Sequence, residues 1–233
     1  MFSLIEKDIK VLIKSSGGIL LLLAPILIVV GLLFYLKNGL GGSEELFELS
    51  VSSLIPNISA IAMIIPGGGV IETVINADRD NRVNQVLISD GMDMRKVWLS
   101  KVASACVTGY FGVIISFITL CITYFVMTGS LYDLHVSVVF KYFLVYPCLS
   151  VVFLEIMAFV LWVLRAGAFI VGFFPALLSM GLIYLNLREI SGEIKIDGTI
   201  LGIVTGIAIV IGVIVLILVD RIPKEYIVNI ETK

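Results

Sequence analysis

The longest polar run of the chain is 77-ADRDNRVNQVLISDGMDMRKVWLSK-101, and it separates two long apolar stretches. It carries five of the 16 Lys and Arg residues, whereas the flanking stretches 51–71 and 102–132 carry no charged residue. About 20 apolar residues are enough to cross the hydrocarbon core of a bilayer as a helix. The run is therefore predicted to be a polar loop between two membrane spans, and the rest of the chain is organised around it.

The first half of this loop has the pattern of a short surface helix. Asp78 and Asp80 are predicted to cap and charge-stabilise its N-terminus. Val83, Val86 and Leu87 follow at i, i+3 and i+4, and they form one apolar stripe on an otherwise polar helix. Such a stripe fits a groove in a partner protein. A solvated loop with one helical turn is the alternative that the spacing leaves open.

In the second half of the loop, the sequence predicts the end of one helix and the start of another. Gly91 follows Asp90 and can take the left-handed conformation that ends a helix. Asp93 is then predicted to cap a second helix, which runs through Trp98 into the next span.

The composition excludes an ordinary soluble domain. The 233 residues are 59% hydrophobic and 15% charged, with a mean hydropathy of +1.11. Soluble proteins are about 45–50% apolar and about 25% charged. The predicted fold class is an all-α integral membrane protein.

Six apolar stretches are each long enough to cross a membrane, so residues 1–233 are predicted to form one transmembrane domain. In the second stretch, Pro56, Pro66 and three glycines at 67–69 predict a kinked helix with close helix contacts. The predicted spans are residues 17–36, 51–71, 102–127, 142–164, 166–187 and 198–219.

Residues 1–16 precede the first span and have their own pattern. Lysines follow one side of this segment, which predicts an amphipathic helix lying in the membrane interface. A frayed basic tail is the alternative. The apolar side of the helix has 3-4-3 spacing, at Phe2, Ile5, Ile9 and Leu12.

The positive charges predict the orientation of the six spans. With the N-terminus inside, 12 of the 16 Lys and Arg residues fall on the cytosolic side. Because cytosolic loops carry the excess of Lys and Arg, both termini and the loop at 78–101 are predicted to be cytosolic. The predicted location is the plasma membrane of a prokaryotic cell, as a multi-pass protein.

The sequence offers no catalytic or metal-binding arrangement. It has one His, and its three Cys residues lie in apolar stretches without metal-ligand spacing. It also has no nucleotide-binding motif, because the glycines at 67–69 are not followed by Gly-Lys-Ser/Thr. The chain is therefore predicted not to be an enzyme and to bind no cofactor or metal itself.

Two acidic residues are candidates for a translocation path. Glu155 lies near the middle of a predicted span, where an acidic side chain costs roughly 2.5–3.5 kcal/mol on insertion scales. It is predicted either to line a path or to make an interhelical hydrogen bond to a Tyr, Ser or Asn. Glu72 lies at the predicted membrane edge, where a solvated interfacial charge is the alternative to a path residue.

The polar loop resembles the cytosolic loop of ABC-2-type transporter permeases. Gly91 replaces the usual Pro of that pattern, and Arg82 stands where Gly is common. The residues that match are Asp78-Arg79-Asp80 at the acidic start, Val83 at the Thr position, Val86-Leu87-Ile88 at the apolar core, Arg95 at the basic position and Lys101 at the closing Lys.

This resemblance implies a permease subunit of an ATP-driven exporter, with the loop as an ATPase-coupling element. The implied partners are two copies of a cytosolic ABC ATPase subunit, which hold ATP and Mg, a second permease of the same or a homologous kind, and membrane lipids. Nucleic acid is not an expected partner. The scarcity of polar groups in the spans favours an apolar or amphipathic cargo, such as a peptide, a drug or a lipid-like molecule. The alternative function is a non-transporting membrane immunity or scaffold protein.

Overall fold

Helices make up nearly all of the chain that the structure describes. The structure is a computed structural model, and it describes residues 2–14, 16–39, 44–132, 136–164, 181 and 198–222. The all-α prediction is confirmed for these residues. The helices are α1 (Phe2–Lys14), α2 (Ser16–Gly39), α3 (Glu44–Asp80), α4 (Val83–Ser89), α5 (Met94–Thr128), α6 (Val136–Phe140), α7 (Tyr146–Leu164) and α8 (Gly198–Asp220), with a π-helical turn at Lys141–Val145 between α6 and α7.

Within the described part of the chain, four helical segments are long and apolar enough to cross a membrane. They correspond to the first four predicted spans. α8 has a shorter apolar segment, Gly206–Asp220, in the place of the predicted sixth span. The predicted fifth span, 166–187, lies outside the described residues except for Gly181. The four long segments are Gly18–Gly39, Ser50–Asp80, Met94–Thr128 and Val138–Val163.

α3 and α5 are longer than predicted. The sequence placed these spans at 51–71 and 102–127, but the helices run from Glu44 to Asp80 and from Met94 to Thr128. Pro56 and Pro66 lie inside α3 without ending it. Helices packed on their neighbours tolerate such residues, because surrounding groups satisfy the freed backbone. Consequently, much of the predicted loop belongs to the two long helices.

The exposed surface is strongly apolar on the outer helices. Leu20 and Leu27 of α2, Phe111 and Ile122 of α5 and Ile209 of α8 are each more than half exposed. Many exposed apolar side chains favour association in water, but they are compatible with a hydrocarbon environment. α3, by contrast, is mostly buried and packs against α2, α5 and α7. The arrangement is that of a helical membrane protein with α3 at its centre.

Glycines bring α3 and α5 into backbone contact. A Cβ atom at Gly109 would lie 2.5 Å from the carbonyl oxygen of Met63, and one at Gly112 would overlap the carbonyl oxygen of Ala62. Small residues at such positions allow helices to approach closely in a membrane. This contact fixes the positions of the two helices that flank the polar loop.

Gly112→Val is therefore expected to lower the free energy of unfolding by about 1–3 kcal/mol, since an added side chain must force α3 and α5 apart. Thermal unfolding in detergent would measure the change. Gly31→Val in α2 is the matched control, because a Cβ atom there meets nothing within 4 Å. An unchanged melting temperature for Gly112→Val would contradict this close packing.

The π-helical turn is held by two buried serines. Ser59 of α3 donates a hydrogen bond to the backbone carbonyl of Tyr142 at 2.6 Å. The hydroxyl of Tyr142 is 2.6 Å from that of Ser116 in α5. Tyr142 is fully buried, so this turn joins the fourth membrane segment to both central helices.

Candidate functional site

The polar loop is short and regular. α4 is separated from α3 and α5 by brief turns. Gly91 has a φ of 80°, and the Asp93 side chain accepts a hydrogen bond from the backbone N–H of Arg95 at 3.1 Å. The sequence predicted both the glycine stop and the Asp93 cap, and the structure contains both.

Asp78 and Asp80 do not cap the loop helix, so that prediction is wrong. Both lie in the last turn of α3, which continues through them. The turn into α4 is made by Asn81 and Arg82, and Arg82 takes a left-handed conformation with a φ of 52°. Arg82 thus holds a backbone conformation that glycine adopts more readily. Asp80 is exposed, whereas Asp78 is buried.

Asp78 belongs to a buried charge cluster formed by Lys7, Asp8, Asp78, Lys101 and Ser104. Lys7 Nζ lies 2.6 Å from Asp78 Oδ1, and Lys101 Nζ lies 3.0 Å from Asp8 Oδ1. Lys101 also forms an ion pair with Asp78, and Ser104 donates a hydrogen bond to Asp8 Oδ2 at 3.2 Å. The charge cluster joins α1, α3 and α5 at the base of the polar loop.

Three of the four charged residues of this cluster are almost completely withdrawn from solvent, whereas the Lys7 side chain is partly exposed. Asp8 is 0% exposed, Asp78 2% and Lys101 5%. Burial raises the pKa of Asp8, and the neighbouring ammonium group of Lys101 opposes that rise. The two aspartates and two lysines balance in charge, which is the condition under which buried charges are tolerated. Lys101 is therefore a structural residue of the loop base rather than a free contact for a partner.

Two arginines attach the loop to the other helices. Arg79 Nη2 donates a hydrogen bond to the carbonyl oxygen of Leu161 at 3.0 Å. Leu161 lies in the last turn of α7, whose carbonyl groups have no partner within the helix. Arg95 forms an ion pair with Asp220 at the end of α8, at 3.3 Å. The ends of α7 and α8 thus contact the loop directly.

The predicted apolar stripe is divided between two environments. Leu87 packs against the hydrophobic core, and Val83 is half-buried. Val86 is 57% exposed. Adjacent residues of a helix lie about 100° apart, and here Leu87 packs against the core while Val86 remains exposed. Among the described loop residues, Val86 is the large apolar side chain left for a partner.

Glu155 lies on α7 against α8. A Cβ atom at Gly212 of α8 would come within 2.6 Å of Glu155 Oε2. This oxygen is buried and has no hydrogen-bond partner among the described residues. The predicted hydrogen bond to a Tyr, Ser or Asn is therefore absent from that part of the chain. Glu155 instead lines a cavity of 390 Å³ between α7 and α8.

Glu72 does not line that cavity. It is half-buried within α3, which continues for eight residues beyond it, so it does not mark the end of the helix.

Sequence reasoning missed Lys7, Asp8 and Ser104 as members of the charge cluster. One available signal pointed to Asp8. It precedes Leu12 of the predicted apolar side by four residues, so an acidic side chain shares that helix face. No such local signal exists for Ser104.

The described residues contain no group of three or more His, Cys, Asp or Glu side chains that could hold a metal ion. Together the folded elements define the class of the protein as helical and membrane-embedded. Comparison with known proteins adds no narrower assignment, since no family model, no curated protein and no solved structure matches the chain.

Proposed function

We propose that this chain is the membrane-spanning permease subunit of an ATP-driven ABC-2-type exporter. One observation carries the proposal: α4 is held as a short insert between two long helices, α3 and α5, which extend from the polar loop through the apolar region. A push on α4 would pass directly to both helices. This is the mechanical requirement for an element that couples ATP hydrolysis to movement of membrane spans.

The contacts around α4 support movement as a unit. The Asp93 cap orders the start of α5, and the glycine contacts at 109 and 112 hold α5 against α3. The charge cluster adds α1 to the same body. A displacement applied at Val86 would therefore be transmitted with little local bending.

The partners in this proposal are two cytosolic ATPase subunits, which hold ATP and Mg, and a second permease of the same or a homologous kind. The excess of Lys and Arg supports a cytosolic loop and cytosolic termini. The apolar character of the helices supports an apolar or amphipathic cargo in a plasma membrane.

A non-transporting membrane immunity or scaffold protein is the second candidate. Its supporting observation is that Leu87, Arg79 and Arg95 all make contacts within the chain. Less of the loop is then free for an ATPase than the sequence pattern indicates.

Purification from native membranes in mild detergent separates the two candidates. The exporter proposal expects a stoichiometric partner that carries nucleotide-binding motifs, and Mg-dependent ATP hydrolysis that rises when the two are reconstituted together. Recovery of the folded chain alone, with no ATPase at any detergent concentration that extracts it in folded form, would contradict the proposal and favour the scaffold.

A further inference from the structure

Among the described residues, those that line the cavity between α7 and α8 provide apolar walls and one carboxyl group. Its volume of 390 Å³ falls within the range of small-molecule sites, about 300–1,000 Å³. Glu155 is the one charged residue among the described residues that line it. The apolar and small residues around the carboxyl group include Val152, Ile209, Gly212 and Leu216.

Gly212 makes room for this carboxyl group. A side chain at that position would collide with Glu155 Oε2, at 2.6 Å. The oxygen has no hydrogen-bond partner in the described part of the chain, although it is buried. A carboxylate in apolar surroundings is unfavourable unless a positive charge accompanies it. The described residues that line the cavity supply no positive charge, and its volume can hold a cation that carries apolar groups.

We propose that this cavity binds an amphipathic organic cation, such as a hydrophobic ammonium or phosphonium ion, with Glu155 as its counter-ion. A neutral apolar molecule would leave the carboxylate unpaired. Among the described lining residues, a bare metal ion would find one carboxylate and no other oxygen-bearing side chain, which is too few oxygen ligands. As a cargo site, the cavity rests on the proposed exporter function. As a binding site, it is a property of this chain alone.

Cys148 provides a built-in reporter of occupancy. It is exposed and lines the cavity with Glu155. It also borders a second cavity of 450 Å³ between α5 and α7, which Glu155 does not line. Shielding of the Cys148 thiol that depends on Glu155 therefore assigns a ligand to the α7–α8 cavity.

The test uses the purified full chain without an ATPase, with Cys106→Ala and Cys121→Ala so that Cys148 is the only thiol. Tetraphenylphosphonium is the probe, and N-ethylmaleimide labelling and radioligand binding are the measurements. We expect saturable binding, and labelling of Cys148 at least tenfold slower at saturation. Glu155→Gln should weaken binding at least tenfold, because it keeps the shape of the side chain and removes the charge.

Gly212→Ala is the second variant, since its methyl group would crowd the carboxyl group, and it should weaken binding in the same direction. Glu6→Gln is the matched control, because it removes an exposed carboxylate that does not line the cavity and should leave binding unchanged. If Glu155→Gln fails to fold, Gly212→Ala and the neutral probe triphenylphosphine oxide carry the test.

Absence of saturable binding, equal affinity for wild type and Glu155→Gln, or equally tight binding of triphenylphosphine oxide would each overturn the proposal. Because the ATPase is absent, failure here leaves the exporter proposal standing. Saturable binding would support the site, and the purification from native membranes would decide separately whether the chain has an ATPase partner.

Discussion

Lys101→Met is expected to lower the free energy of unfolding by roughly 3–5 kcal/mol, the usual effect of removing one partner from a buried ion pair. The Lys101 ammonium group is shared by Asp8 and Asp78. Methionine fills similar space but leaves both carboxylates buried, with Lys7 as the remaining cation, and the Lys7 side chain is 39% exposed. Loss of the Lys101 ammonium group should weaken the contacts of α1 with both α3 and α5.

Thermal unfolding of the purified protein in detergent measures this effect. Lys96→Met is the matched control, because Lys96 is exposed in the first turn of the same helix. In the Lys101→Met background, Asp8→Asn should restore part of the lost stability by removing one of the stranded charges. A melting temperature for Lys101→Met equal to that of the control would show that the charge cluster contributes nothing to the fold.

Local features of the loop could be predicted from the sequence because their causes are local. A glycine can stop a helix and an aspartate can cap one within two residues of itself, and Gly91 and Asp93 do so. The apolar length of the spans is likewise a property of each stretch alone. For this reason the helical class was predictable.

The charge cluster could not be predicted, because it depends on residues 71 and 93 positions apart in the chain. Considered alone, Asp78 favours the start of a helix. In the structure, its carboxylate pairs with Lys7 and Lys101, and α3 continues through it. The same reason applies to Arg79, which the sequence places at the acidic start of the coupling loop and whose partner is a carbonyl group on α7. Removal of Arg79 therefore affects the fold as well as any partner.

Glu155 likewise combines a feature that the sequence predicts with a contact that it does not. Its cost within a span follows from composition and depth, so its importance was visible in the sequence. Its neighbour Gly212 lies on another helix, and the absence of a side chain there is what leaves the carboxyl group facing a cavity. No spacing rule connects the two positions.

Val86→Asp is expected to weaken docking of the proposed ATPase by at least about tenfold while the chain remains folded. Burying a Val side chain is worth about 1.5–3 kcal/mol, and about 1.4 kcal/mol is a factor of ten in affinity. Val86 is 57% exposed, so a charge there does little harm to the free protein. In a partner's groove, the same charge would be buried without a counter-ion. Leu87→Asp should act differently and lower stability, because Leu87 packs against the core.

Detergent pull-down of the ATPase, with stimulated ATP hydrolysis in reconstituted vesicles, measures the effect. Asn81→Asp is the matched control, since it adds the same charge at an exposed position just before α4. Wild-type pull-down and wild-type hydrolysis for Val86→Asp would mean that α4 is not the coupling element. The exporter proposal would then lose the observation that carries it. If α4 does not contact the ATPase, it cannot transmit the movement of the ATPase to α3 and α5.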